Sequence, residues 1–268
     1  MSDCAKNSAL LKNKRHTILP NMIDTSTFRP FDNKKSKELW NLSSNKKIIL
    51  FGTLNAADDP RKGFSELSKA LHQITVPNVE LVIFGSGKPK YPPDFGFKTH
   101  YLGILDNDES LAQLYSAADV MVVPSLQENL SNVIMESLAC ATPVVGFNIG
   151  GNKDMIDHKK NGYLAEPFDV IDLKNGIEWI LKNDMRKKAR EKVLLNFDSK
   201  IVVKNYIKLY KNILNQKSHG MTEHAIWYSR FASELTDSGY TVFAHDYRDH
   251  GFTEVSDAPQ GVFAESNG

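Results

Sequence analysis

The sequence predicts an α/β protein built on a doubly wound, parallel β-sheet. Three observations predict it. Apolar runs of strand length, rich in Val, Ile, Leu and Phe, recur between Ile48 and Phe147. Amphipathic stretches with helical spacing alternate with them, and the connections are short. Strands so uniformly apolar are buried on both faces, as helices packed on both sides of a parallel sheet require.

The elements follow in order. Ile48-Ile49-Leu50-Phe51 closes on Gly52 and reads as a buried strand. Gly63–Leu71 follows as a helix, with Phe64, Leu67, Ala70 and Leu71 at helical spacing. Leu81-Val82-Ile83-Phe84 is a second strand, closed by Gly85-Ser86-Gly87, and Tyr101-Leu102-Gly103 ends a short third. Leu111–Ala118 is helical, and Val120-Met121-Val122-Val123 is a strand stopped by Pro124. Asn132–Cys140 is a helix and Pro143–Phe147 the strand after it. Two lysine-containing helical stretches, around Leu173–Leu181 and Ile201–Leu214, close the segment. Open sheets of this class bind ligands where their strands end at the carboxyl side. The loops after Phe51, Phe84, Leu102, Val123 and Phe147 are therefore where a site is expected.

Composition sets the remaining bounds. The 268 residues, 41% apolar and 24% charged, suit one large or two small globular domains. Cys4 and Cys140 form no metal-ligand spacing and fit a reducing compartment. No apolar run approaches the ~20 residues of a membrane span. The first residues contain no apolar stretch of a signal peptide. The expectation is a cytoplasmic protein with at most peripheral membrane association and no nucleic-acid partner. The net charge of +1 hides a break: residues 218–268 carry −6, and residues 1–217 carry +7. Such a shift suggests two segments of different origin.

Two loops carry the chemistry. After Val123 the chain reads Pro124-Ser125-Leu126-Gln127-Glu128-Asn129-Leu130-Ser131-Asn132-Val133-Ile134-Met135-Glu136. The backbone N–H groups from Leu130 to Val133 open a helix and have no partner within it, which suits a phosphate. Glu128 and Glu136 bracket them. A carboxylate accepts hydrogen bonds from hydroxyls, so this pair suits a sugar on one side and a ribose on the other. After Phe51, Arg61 and Lys62 precede a helix. Arg grips phosphate oxygens with two N–H groups and Lys acts as a point charge. Two cations there suit a diphosphate, whose growing charge as a leaving group a preorganised site would stabilise. Gly85-Ser86-Gly87 and Gly150-Gly151 offer close backbone approach at two further strand ends.

Together these features resemble the C-terminal domain of the group 1 family of GT-B-fold glycosyltransferases, over about residues 20–215. The most specific part is Glu128 and Glu136 followed by Ser137-Leu138-Ala139-Cys140-Ala141-Thr142-Pro143-Val144-Val145, then Gly150-Gly151 and Asn161-Gly162-Tyr163-Leu164. Pro20-Asn21-Met22-Ile23-Asp24 with Phe28 and Pro30 resembles the family's interdomain linker, and Asp59–Phe64 its basic donor loop. The resemblance implies one Rossmann-like half of a GT-B fold and a retaining transferase using a nucleotide-diphosphate sugar, without a metal or other cofactor. It assigns Glu128 to donor-sugar hydroxyls as the catalytic position and Glu136 to the ribose. Arg61 and Lys62 fall to the diphosphate, and Gly103 and Ile104 to the base. Asn129, Leu130, Ser131, Asn132 and Val133 supply the phosphate-facing turn. Thr53 stands where the family often has Arg, and Met22 where its linker has Gly.

Residues 1–30 are expected to be a remnant of an N-terminal domain with the linker, and 31–217 the nucleotide-sugar-binding domain. The acceptor-binding domain of the family would be a separate partner. The domain is expected to serve transfer to a glycan or lipid-linked acceptor, although this half alone is expected to bind donor weakly and not to glycosylate; the alternative is a non-catalytic binding remnant or subunit. The tail, 218–268, resembles the start of a monoacylglycerol-lipase-type α/β-hydrolase, through His219-Gly220-Met221 and Arg248-Asp249-His250-Gly251. It reaches no Gly-x-Ser-x-Gly nucleophile, so no hydrolase activity is expected of it.

Overall fold

The computed structural model describes residues 2–52 and 59–214. The hydrolase-like tail and Thr53 lie outside the described residues. After α1 (Ser2–Asn7) and α2 (Asn33–Leu39) the chain enters β1 (Lys47–Gly52). A 3-10 turn (Pro60–Lys62) leads to α3 (Phe64–Leu71), β2 (Val79–Phe84) and β3 (Thr99–Tyr101). Next come α4 (Asp108–Ala117), β4 (Val120–Val123), α5 (Asn132–Ala139), β5 (Val144–Phe147) and α6 (Asn152–Met155). The described chain closes with β6 (Gly162–Ala165), α7 (Val170–Lys182), α8 (Arg186–Asn196) and α9 (Ser199–Leu214).

The strands form one parallel sheet in the order β3-β2-β1-β4-β5-β6. Alternation along each strand sends side chains to two apolar layers. Ile48 and Leu50 of β1 join Val82, Phe84, Met121 and Val123 in the layer with α4, α5 and α8. Ile49 and Phe51 join Leu81, Ile83, Val120 and Val122 in the layer with α3 and α7. Both faces are covered, as the continuous apolar runs predicted.

Among the elements that apolar periodicity does not reveal are β6 and α8. β6 is Gly162-Tyr163-Leu164-Ala165, four residues too short for a pattern. A Cβ on Gly162 would lie 2.3 Å from the Val144 carbonyl oxygen, so glycine lets β6 close on β5. α8 buries only Ala189 and Val193, and its other positions are mostly charged.

The first compact unit spans Met1–Asp198, and the second begins at Ser199. This division falls inside the segment expected as one domain, 31–217. The linker-like residues before it belong to the first unit. Ile23 and Phe28 are buried in its core, and Ile23 N–H donates to the Phe197 carbonyl at 2.9 Å. Arg190 donates from Nη1 to the carbonyls of Phe28 (2.7 Å) and Ala139 (2.6 Å), and from Nη2 to Thr25 (2.9 Å). Met22 is not among the positive-φ residues, so the turn here needs no glycine.

Candidate functional site

β1 and β4 are neighbours, yet the chain leaves β1 towards β2 and leaves β4 towards β5. Crevices at the carboxyl ends of strands open at such a reversal. The loop after β1 re-enters as the Pro60–Lys62 turn, where the Asp59 side chain accepts from Arg61 N–H at 3.0 Å. Gly63 follows with φ +69°, and a Cβ there would fall 1.8 Å from the Pro124 carbonyl oxygen. Only glycine permits both that φ and that approach. Leu126 N–H then donates to the Arg61 carbonyl at 2.7 Å. The loop after β1 is thereby fastened to the loop after β4. Arg61 and Lys62 stand with Gln127, Glu128, Asn129 and Gly150 around an open cleft of 490 Å³, which Cys4 also lines.

Glu128 is partly buried, and Asn129 N–H donates to its Oε1 at 3.2 Å. Behind it, a Cβ on Gly150 would lie 1.8 Å from the Glu128 carbonyl oxygen, and one on Gly151 would lie 2.1 Å from that of Asn129. Gly151 N–H donates to the same Asn129 oxygen at 2.7 Å. The paired glycines thus seat the Glu128 loop, and the backbone they approach is the chain's own. α5 begins at Asn132 with Ser131 as N-cap, and no side chain caps it. Its first N–H groups lack intrahelical acceptors. Ser131 and Val133 line a narrower cavity together with Gly52, Lys62 and Glu128. Leu130 instead packs on the core, and Asn129 and Asn132 are exposed.

Glu136 stands apart from this group and faces α4. Its Oε2 accepts from the Tyr115 hydroxyl at 2.8 Å. Burial pushes the Glu136 carboxyl above its ordinary range, the Tyr115 hydrogen bond opposes that, and the charge of Asp108 adds to it. Burial, with Glu136 beside it, also holds the Tyr115 hydroxyl protonated. Gly103 lies near the start of the loop after β3 with φ +70°, its carbonyl accepting from Gly85 N–H at 2.7 Å. Ile104 next to it is exposed. Neither Gly103 nor Ile104 lines the cavities shared by Lys62 and Glu128.

Arg61 departs from its simple reading as a free cation. Its guanidinium grips Asp59 with two bonds, Nε to Oδ1 at 3.0 Å and Nη2 to Oδ2 at 2.9 Å. The contact lowers the Asp59 carboxyl and raises Arg61. Lys62 has no ion-pair partner among the described residues. Sequence reasoning missed Tyr115, Asp108 and Asp59. Tyr115 sits at helical spacing among Leu111, Leu114 and Ala118, where an aromatic reads as core. The tripeptide Asp106-Asn107-Asp108 has the Asp-x-Asp form that holds metals elsewhere. Here Asn107 accepts from Glu109 N–H (2.8 Å) and Ser110 N–H (3.1 Å), capping α4. No group of three or more His, Cys, Asp or Glu placed to hold a metal occurs among the described residues.

Residues 32–193 match the model of the family described as glycosyl transferases group 1. The chain belongs to this family. Residues 217–265 match a second model, serine aminopeptidase, S33, in agreement with the hydrolase-like tail. The group 1 chain is 25% identical to N-acetyl-alpha-D-glucosaminyl L-malate synthase of Bacillus anthracis, over 78% of its own length and 56% of that protein. It superposes on sucrose-phosphate synthase from Thermosynechococcus elongatus with a TM-score of 0.69 and 25% identity, covering 81% of this chain and 57% of that one. For Anabaena HepE in complex with UDP-glucose the TM-score is 0.60 at 21% identity, covering 74% and 57%. The chain spans about half the length of the curated relatives it matches. These neighbours share the GT-B architecture expected from the sequence, and this glycosyl transferase half is its C-terminal domain. Among the described residues no helix is long and apolar enough to cross a membrane.

Proposed function

We propose that the first unit binds a nucleoside-diphosphate sugar at the carboxyl edge of its sheet. Arg61 and Lys62 lie against the diphosphate, Glu128 against donor-sugar hydroxyls and Glu136 against the ribose. The N–H groups of Leu130, Ser131, Asn132 and Val133 complement phosphate oxygens, aided by the dipole of α5, and Asn129 N–H joins them when it turns from Glu128. Gly103 and Ile104 stand on the side taken by the base. Transfer proceeds with retention to a glycan or lipid-linked acceptor held by a separate domain, because relatives of this family are about twice as long as the matched span.

One observation carries this reading: the Leu126–Arg61 backbone bond, which puts two cations and a carboxylate around one cleft. An anion alone needs no carboxylate, and a neutral sugar alone needs no cations. A ligand that is both diphosphate and polyol satisfies both. As the diphosphate leaves, its growing charge meets Lys62 already in place, and Arg61 once it turns from Asp59, which lowers the barrier. The Anabaena neighbour holding UDP-glucose supports the same ligand class.

Calorimetric titration of the purified chain with UDP, GDP and ADP tests the reading. One nucleotide is expected to bind, and Lys62→Ala to weaken it about tenfold, a change of about 1.4 kcal/mol. Failure of all three to bind at millimolar concentration overturns it.

A further inference from the structure

Glu136 is a long carboxylate with three rotatable bonds, held at one place only. Among the described residues its sole side-chain partner is the Tyr115 hydroxyl, on Oε2 at 2.8 Å. Tyr115 is itself fixed at both ends. Its backbone carbonyl accepts from the Thr142 hydroxyl at 2.6 Å and from Ala118 N–H at 3.0 Å. Its ring stands edge-on to Phe84, with centroids 5.9 Å apart. Phe84 in turn fills the space beside Gly52, where a Cβ would fall 2.0 Å from the ring. Tyr115 is 1% exposed, so no solvent competes for its hydroxyl. The hydroxyl donates its only proton to Oε2 and leaves Oε1 wholly open as an acceptor.

We propose that Tyr115 is the positioning residue for the donor ribose, fixing Oε2 of Glu136 so that the open oxygen meets the 2′- and 3′-hydroxyls of a nucleoside diphosphate. The inference rests on reading the cleft as a nucleotide-sugar site. A carboxylate free to turn pays the ordering cost of its rotamers on binding, and one already held does not. Tyr115 then contributes to selection of ribose over deoxyribose without touching the ligand. A tyrosine serving only to fill the core contributes equally to every nucleotide.

The experiment compares the full chain with Tyr115→Phe, which keeps the ring and removes the hydroxyl. Dissociation constants are measured for UDP and 2′-deoxy-UDP, or for the matching pair of whichever base the wild type binds. The wild type is expected to favour the ribonucleotide about tenfold. Tyr115→Phe is expected to lose most of that preference while its affinity for the deoxynucleotide stays within about twofold. Equal weakening of both nucleotides, or an unchanged ratio, overturns the proposal. Glu136→Asp withdraws the carboxylate from Tyr115 by one methylene and tests the same contact if Tyr115→Phe does not fold. It too is expected to lose the preference, and a retained preference overturns the proposal. A wild type that binds both equally also overturns the proposal, whereas one that binds no nucleotide removes the donor-site reading on which the inference stands.

Discussion

The main-chain N–H of Leu126 donates to the carbonyl of Arg61 at 2.7 Å, joining two loops 65 positions apart in sequence. The two cations assigned to the diphosphate stand on one side of that bond, and the carboxylate assigned to the sugar, with the N–H groups that open α5, on the other. Gly63 is what allows it. Gly63→Ala places a methyl against the Pro124 carbonyl and strains a left-handed backbone. The expected outcome is a loss of about 1–3 kcal/mol in urea unfolding, together with weaker nucleotide binding in the same preparation.

Asp59 competes with a phosphate for Arg61. Asp59→Asn keeps an oxygen to cap the Pro60–Lys62 turn and removes the charge. Diphosphate affinity is expected to rise a few-fold, with the melting temperature unchanged. Calorimetry in low salt reads this best, since salt screens exposed charges. A fall in affinity would show that Asp59 orients Arg61 for the ligand.

Stability and binding separate at the opposite edge of the sheet. Lys37 Nζ meets Asp119 Oδ2 at 2.8 Å, with side chains 4% and 12% exposed. Asp119 also accepts from Ile48 N–H and lies 3.5 Å from Lys47 and 3.6 Å from Arg186. Lys37→Met is expected to cost about 2 kcal/mol, less than for a buried pair with no other cation near. Because Asp119 precedes β4, far from the cleft, nucleotide affinity is expected to stay as in the wild type.

Asp24 sets part of the acid limit. Burial pushes its carboxyl up, but hydrogen bonds from the side chains and N–H groups of Ser26 and Thr27 outweigh that and bring it from 3.8 to about 2. A carboxyl lowered by folding contributes stability above its unfolded value, and loses it as pH falls through its folded one. Asp24→Asn is expected to be less stable than wild type at pH 7. The two are expected to converge between about pH 4 and about pH 2 in urea unfolding followed across pH.

Strands β1, β2, β4 and β5 were legible because each carries enough consecutive apolar residues to exclude a solvated alternative, whereas β3, Thr99-His100-Tyr101, carries no such run and showed only where it ends. β6 was not, since only Tyr163 and Leu164 of its four residues are large and apolar, and its register depends on Gly162 meeting β5. The start of α5 was legible from the serine and the apolar run after it. The roles of Gly63, Gly150 and Gly151 were not, because what they approach lies in other loops. Glu136 could be picked out, but its restraint by Tyr115 depends on how α4 meets α5, and no local pattern records that.

Arg190 gathers three carbonyl oxygens, two from the segment at Thr25–Phe28 and one from the end of α5 at Ala139. One side chain therefore acts as a strut between the incoming strap of chain and the helix whose other end faces the cleft. A pull applied through residues ahead of Ile23 would be shared between the Ile23–Phe197 bond and that guanidinium, and the guanidinium's share would pass to α5. Without that strut the strap would still hang on the buried side chains of Ile23 and Phe28, but the direct tie to the end of α5 would be gone.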